Sequence, residues 1–261
     1  MRRIFDFHTH AYPEKVASKS VDFLNQYYKI TCQGDGTMDD LLRSAQDGGV
    51  SDLLVHAVAT KPRQVENVNS WIAEHIKEHV YGFGTIHPGY EQIEQELLRI
   101  RSLGLLGLKL HPDFQGYFVD DPSMDIVYAS IAGKMPVLVH SGDEASEFSS
   151  PKRLAHVIDR YPKLTVIAAH LGGYSQWAEA EQYIIGRDCY IDTSSSLWAI
   201  PPEKAMALIR RHGVDKVLFG TDYPLVHHRE EVARFMALGL TDEEMDKILF
   251  ENARRLLALD F

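Results

Sequence analysis

Eight times along this chain a short apolar run gives way to a polar turn and then to a segment with helical spacing of apolar residues. The runs cover residues 4–10, 52–58, 81–87, 105–111, 136–140, 164–170, 189–193 and 217–222. Helices are expected over residues 13–28, from the Thr37 N-cap to Gly48-Gly49, over 63–78 and 91–101, after Pro122-Ser123, and over 229–237 and 242–257. Near-continuous apolar strands alternating with helices indicate a parallel sheet covered by helices. Eight such units in 261 residues fit a (β/α)8 barrel, with a doubly wound open sheet as the alternative. No linker, low-complexity tract or composition shift divides the chain, so residues 1–261 are expected to form a single α/β domain, a TIM barrel.

A 45% hydrophobic share supplies a sizeable core, and a net charge of -10 argues against nucleic acid or an anionic membrane surface as partner. It does not argue against a small anionic substrate, because a local field in a cleft can oppose the overall charge. The two cysteines, Cys32 and Cys189, stand in no metal-binding spacing and suggest no disulfide framework. No run approaches the roughly 18 apolar residues that span a bilayer. The segment after Arg2 and Arg3 carries Asp6 and two histidines, unlike a secretory signal. The expectation is a cytoplasmic protein acting on a small molecule, with a homo-oligomer through outer helices left open.

In such barrels the reacting groups sit at the C-terminal ends of the strands. His8 and His10 close the first run, two apart and hence on one face of a strand. Neutral imidazoles so paired suit a borderline metal such as zinc. His87, His111, His140, His170 and Asp222 close later runs, so six of the thirteen histidines fall at strand ends. A hydrogen-bonded core histidine explains any one of them and does not explain the set. His56, inside the second run, is read as structural. Lys109 shares strand parity with His111, so both are expected to face the barrel mouth.

Five motifs carry a resemblance. Phe5-Asp6-Phe7-His8-Thr9-His10, Gly107-Leu108-Lys109-Leu110-His111-Pro112, Val137-Leu138-Val139-His140-Ser141-Gly142, Ala168-Ala169-His170-Leu171-Gly172-Gly173 and Phe219-Gly220-Thr221-Asp222-Tyr223-Pro224 together resemble the amidohydrolase superfamily. Within it they resemble the amidohydrolase-related branch that includes aminocarboxymuconate-semialdehyde decarboxylase. The resemblance implies a (β/α)8 fold with one divalent metal ion, Zn2+ or, alternatively, Mn2+. His8, His10, His140 and Asp222 would be its ligands and His170 the catalytic histidine. Some branches carry a carboxylated lysine on the fourth strand that bridges two metals. For Lys109 that binuclear version is an alternative to the adopted reading, in which Lys109 and His111 contact substrate or support the site.

The implied chemistry is coherent. Three neutral imidazoles and a carboxylate leave an open position, and a bound metal lowers the pKa of its water to about 7. Asp222 would take the proton of that water and pass it to a leaving group, making it catalytic as well as ligating. His170 would orient the water or stabilise developing negative charge. Arg63 and Trp198 join Lys109 and His111 as substrate contacts, since aromatic and cationic side chains suit a small planar carboxylate. The expected function is a metal-dependent hydrolase cleaving an amide, ester or lactone bond of a small carboxylate-bearing molecule. One alternative is a metal-dependent, non-oxidative decarboxylase of a small unsaturated or aromatic acid, and another is a non-catalytic metal- or ligand-binding barrel. Release of carbon dioxide separates the decarboxylase from the hydrolase, which instead incorporates water.

Overall fold

The computed structural model describes residues 2–259; Met1, Asp260 and Phe261 of the expected domain lie outside the described residues. Its parallel strands are β1 (Phe5–His10), β2 (Asp52–His56), β3 (Val80–Gly82), β4 (Leu108–Leu110), β5 (Val137–Val139), β6 (Val166–Ala168), β7 (Tyr190–Asp192) and β8 (Val217–Leu218). They pair in chain order, β1 to β3 and β4 to β8. Single bridges from Gly84 to Leu108 and from Thr9 to Tyr223 join the two sets. Across these seams Gly84 N donates to Gly107 O at 2.9 Å and Phe7 N to Phe219 O at 2.8 Å. The sheet is therefore a closed barrel, and the doubly wound alternative falls.

Between the strands run α1 (Glu14–Tyr28), α2 (Met38–Gly48), α3 (Val65–His75), α4 (Ile93–Ser102), α5 (Pro112–Gln115) and α6 (Asp125–Ile131). After β5 come α7 (Pro151–Arg160), α8 (Trp177–Tyr183), α9 (Pro202–His212) and α10 (His228–Met236). A π-helical turn, Lys247–Glu251, joins α11 (Asp242–Asp246) to α12 (Asn252–Leu256). Thr37 caps α2 by accepting Asp40 N, and Gly49, at φ 70°, ends it in the left-handed region. Among the described residues no helix is long and apolar enough to cross a membrane.

The strands are shorter than the apolar runs. Leu105 and Leu164 are buried although they precede the paired residues, so hydrophobicity there reports burial and not pairing. Inside the barrel Phe5, Phe7, Leu54, Phe83, Leu138, Ile167 and Leu218 form one apolar cluster. On β1 the register shifts between Asp6 and Thr9, and Asp6 Oδ1 accepts His8 N at 2.9 Å within that irregularity. Above the phenylalanines the strand thereby presents His8 and His10 to the mouth.

Candidate active site

The C-terminal ends of β1 and β2 and the turns after β4, β5, β6 and β8 bring His8, His10, His56, His111, His140, His170 and Asp222 to one end of the barrel, with Lys109 from β4 beneath them. All but His10 are buried, and the His10 side chain is 12% exposed. Asp222 Oδ1 stands 3.3 Å from His8 Nε2 and 3.2 Å from His10 Nε2. Its Oδ2 accepts the Ser195 hydroxyl at 2.6 Å and lies 3.9 Å from His170 Nδ1. Burial works against the Asp222 charge, but the neighbouring His8, His10 and His170 override it and hold the carboxyl well below the usual carboxylate range. His170 and Asp222 both adopt left-handed backbone, φ 62° and 64°, a conformation that non-glycine residues keep where the surroundings over-determine it. Gly220 allows the approach of β8 to β1, since a Cβ there would meet His8 Cβ at 2.8 Å.

The hydrogen bonds assign the ring protons. His8 Nδ1 lies 2.9 Å from Asp192 Oδ2, so Nδ1 donates and Nε2 keeps its lone pair. Asp192 Oδ1 accepts the backbone N–H groups of His170 and Ser194, each at 3.0 Å, and also the Ser194 hydroxyl. His170 Nδ1 donates to Ser194 O at 3.1 Å, and its Nε2 accepts from His140 Nδ1 at 3.0 Å. That leaves the lone pair of His140 on Nε2, a buried atom without a hydrogen-bond partner. Burial, with Lys109 acting in the same direction, pushes His140 down to about 3. Burial also lowers His170 to about 4 against the opposing charge of Asp222, and it lowers His8 and His10 as well. These imidazoles are thus neutral at neutral pH, the form that binds metals.

The donor set fits a divalent ion. Ligands bonded at about 2.1 Å with near-octahedral or tetrahedral angles stand roughly 3.0–3.4 Å apart, the spacing found between Asp222 Oδ1 and the two β1 imidazoles. A ligating histidine whose other nitrogen donates to a carboxylate, as His8 does to Asp192, is the usual arrangement at metal sites. Potential ligand atoms of His8, His170 and Asp222 lie within 4.8 Å of one another, as do those of His8, His10 and His56 and those of His111, Asp113 and His140. His140 therefore groups with His111 and reaches Asp222 through His170.

Lys109 Nζ, fully buried, is 3.0 Å from His8 Nε2. Burial lowers its pKa to about 8 although Asp222 and Asp192 oppose the shift. His111 is stacked between Phe114 at 3.7 Å and His140 at 3.8 Å, with Tyr28 Oη 3.1 Å from its Nε2. A cavity of about 960 Å3, lined by Tyr12, Phe114, Lys15, Lys19 and Lys61 among others, opens beside α1 and α3. Arg63 and Trp198 are not brought to this cluster. Arg63 is exposed in the turn Pro62–Gln64 and shares a separate cavity with Glu66 and Tyr90, while Trp198 is exposed after β7. His87 accepts Gly89 N at 3.0 Å and so serves its own turn.

Sequence reasoning missed Asp192, Ser194 and Ser195, whose only signal was a carboxylate and a serine run closing the seventh apolar run. It also placed His56 inside its strand, whereas His56 is the last residue of β2 and faces His8 and His10.

Known proteins share this architecture. Over 125 residues, 40% of this chain, the sequence is 24% identical to the decarboxylase orsB of Emericella nidulans, and the match spans 37% of that protein's length. An uncharacterized TIM-barrel protein of Bordetella bronchiseptica has a TM-score of 0.78 at 20% identity, covering 98% of both chains. A dihydroxybenzoic acid decarboxylase of Polaromonas, solved with bound manganese and the inhibitor 2-nitroresorcinol, has a TM-score of 0.73 at 16% identity over 99% of this chain and 98% of that one. These likenesses establish the fold. The amidohydrolase family model matches residues 5–259, and the chain belongs to that family of enzymes.

Proposed function

We propose that this enzyme is a metal-dependent, non-oxidative decarboxylase of a small unsaturated or aromatic acid. The observation that carries the reading is the state of Asp222. One of its oxygens faces two imidazoles and the other already accepts the Ser195 proton, so the site's metal-facing carboxylate is poorly placed to take a proton from water. The decarboxylases among the similar proteins support the same choice.

His8 and His10, through Nε2, and Asp222 would hold the ion, with the unpartnered Nε2 of His140 as the further ligand if His140 moves in from its place beside His111. Mn2+ is favoured by the Polaromonas relative and Zn2+ by the imidazole-rich donors. When bound, the ion supplies Lewis acidity toward oxygen atoms of the substrate. Lys109, whose Nζ is 3.0 Å from His8 Nε2, would yield that lone pair to the ion and turn its buried positive charge to the substrate anion, an attraction its low-dielectric surroundings strengthen. Phe114 and Tyr28 put aromatic surface beside the cluster, suited to a planar substrate, while His111, covered on both faces by Phe114 and His140, offers only its ring edge. In the reaction the bond from carbon to the carboxylate breaks, the electron pair stays on that carbon, carbon dioxide leaves, and the carbon takes a proton. His170, whose Nδ1–H donates to Ser194 O and stands 3.9 Å from Asp222 Oδ2, is the residue we assign to proton delivery: that proton goes to the carbon and is replaced from solvent.

Hydrolysis of an amide, ester or lactone is the second reading. Its basis is the 3.9 Å separation of Asp222 Oδ2 and His170 Nδ1, a carboxylate–imidazole pair that would relay a proton from water to a leaving group once Ser195 released Oδ2. The test is incubation of Mn2+-loaded protein with hydroxybenzoic acids and unsaturated dicarboxylic acids. One carbon dioxide per substrate consumed is expected, abolished by chelator and by His170→Ala. Cleavage of amides or lactones with no carbon dioxide from any acid would overturn the proposal.

A further inference from the structure

We propose that His56 is a direct ligand of the metal ion held by His8, His10 and Asp222, a role the strand-end motifs do not assign to β2. The inference rests on the metal-dependent reading above and adds a residue to its coordination sphere. His56 ends β2, and the parallel register sets it opposite His10. Its ring centroid lies 4.4 Å from that of His10, crossing at 83°, and 4.9 Å from that of His8, crossing at 70°. Potential ligand nitrogens of the three residues lie within 4.8 Å of one another.

His56 is wholly buried, yet neither Nδ1 nor Nε2 has a hydrogen-bond partner. A neutral imidazole carries one donor and one acceptor, and a buried group left unsatisfied costs about 1–3 kcal/mol. His212, buried on the outside of the barrel, shows the contrast: its Nδ1 accepts Gly186 N at 3.2 Å and its Nε2 lies 2.9 Å from Cys189 O. His212 engages both ring nitrogens, and His56 engages neither. Three imidazoles brought together with no hydrogen bond from His56 to either neighbour form a set that a shared cation stabilises.

The test is titration of Co2+ into chelator-stripped wild type, His56→Phe and His56→Gln. Visible absorption reads affinity, and proton NMR counts the exchangeable imidazole N–H resonances shifted by the paramagnetic ion. His56→Phe keeps a planar ring in place without a donor atom. It is expected to bind Co2+ at least about 100-fold more weakly, the upper end of the loss seen when an outer partner of a metal site is removed, and to show one fewer shifted N–H resonance. His56→Gln, closer in polarity, should lose the same resonance, which covers the case in which the phenylalanine variant fails to fold. Unchanged affinity and an unchanged resonance count in either folded variant would overturn this inference alone. Failure of wild type to bind Co2+, Mn2+ or Zn2+ would overturn it together with the proposed function.

Discussion

Replacing Glu231 by glutamine should stabilise the protein at neutral pH and leave it little changed at acidic pH. Glu231 lies in the first turn of α10, wholly buried, with Oε2 accepting Arg234 Nη1 at 2.8 Å and Oε1 without a partner. Burial raises its pKa from 4.5 to about 7 despite the opposing Arg234. Between those two pH values the folded protein keeps a proton that the unfolded chain has lost. The contribution is therefore present below pH 4.5 and lost as pH rises through about 7. At about 1.4 kcal/mol per pH unit, this interval corresponds to about 3 kcal/mol. Glutamine does not ionise and can still offer an oxygen to Arg234. Urea unfolding of both proteins from pH 4.5 to 8 should show the free-energy difference growing from near zero to about 3 kcal/mol in favour of the variant. Parallel curves, or a wild type more stable than the variant at pH 7.5, would refute the reasoning. The residue matters to the site because α10 begins with His228, whose Nδ1 is 2.8 Å from Ser44 Oγ and whose Nε2 is 3.2 Å from Asp6 Oδ2. Asp6 in turn accepts the backbone N–H groups of His8 and Thr221, beside two of the proposed ligands.

Three further outcomes are expected. His8→Ala should lose its metal by elemental analysis, while His170→Ala should keep it and lose turnover; loss of metal in both would undo the division between ligand and catalyst. Asp192→Asn, which removes the carboxylate that fixes the His8 ring, should weaken metal binding by 10–100-fold in a competition titration, with the overall fold intact by circular dichroism. Gly142→Ala should destabilise the protein by at least about 1 kcal/mol in a thermal melt. Its φ is 78°, and a Cβ there would stand 2.6 Å from Tyr174 O.

The barrel was legible because its strands are buried on both faces and so read as apolar runs separated by helices. The ends of those runs placed His8, His10, His140, His170 and Asp222 correctly at one mouth of the barrel, since a polar side chain interrupting an apolar run is conspicuous. Parity was less informative. Strand parity alone would set Asp6 beside the two histidines of β1, yet it lies deeper, buried, and accepts the backbone N–H groups of His8 and Thr221 across the register shift, the hydrogen-bonding role its depth in the strand suggests. His56 was placed inside its strand because the apolar run continues through Ala57 and Val58, which hides where pairing stops. Arg63 and Trp198 were chosen by residue type from the loops, and loop residues reach a site only when the path of the chain carries them there. Asp192 and Ser194 act through the tautomers of other residues, a function without a spacing of its own.

The central claim is that the reaction exchanges a carboxylate for a proton. The most direct test is turnover by the Mn2+-loaded enzyme of an acid substrate, run once in D2O and once in 18O-labelled water. The account predicts one carbon dioxide per substrate consumed, a product with deuterium on the carbon that lost the carboxylate, and no 18O in that product. A product carrying 18O and formed without carbon dioxide would contradict it and establish hydrolysis instead.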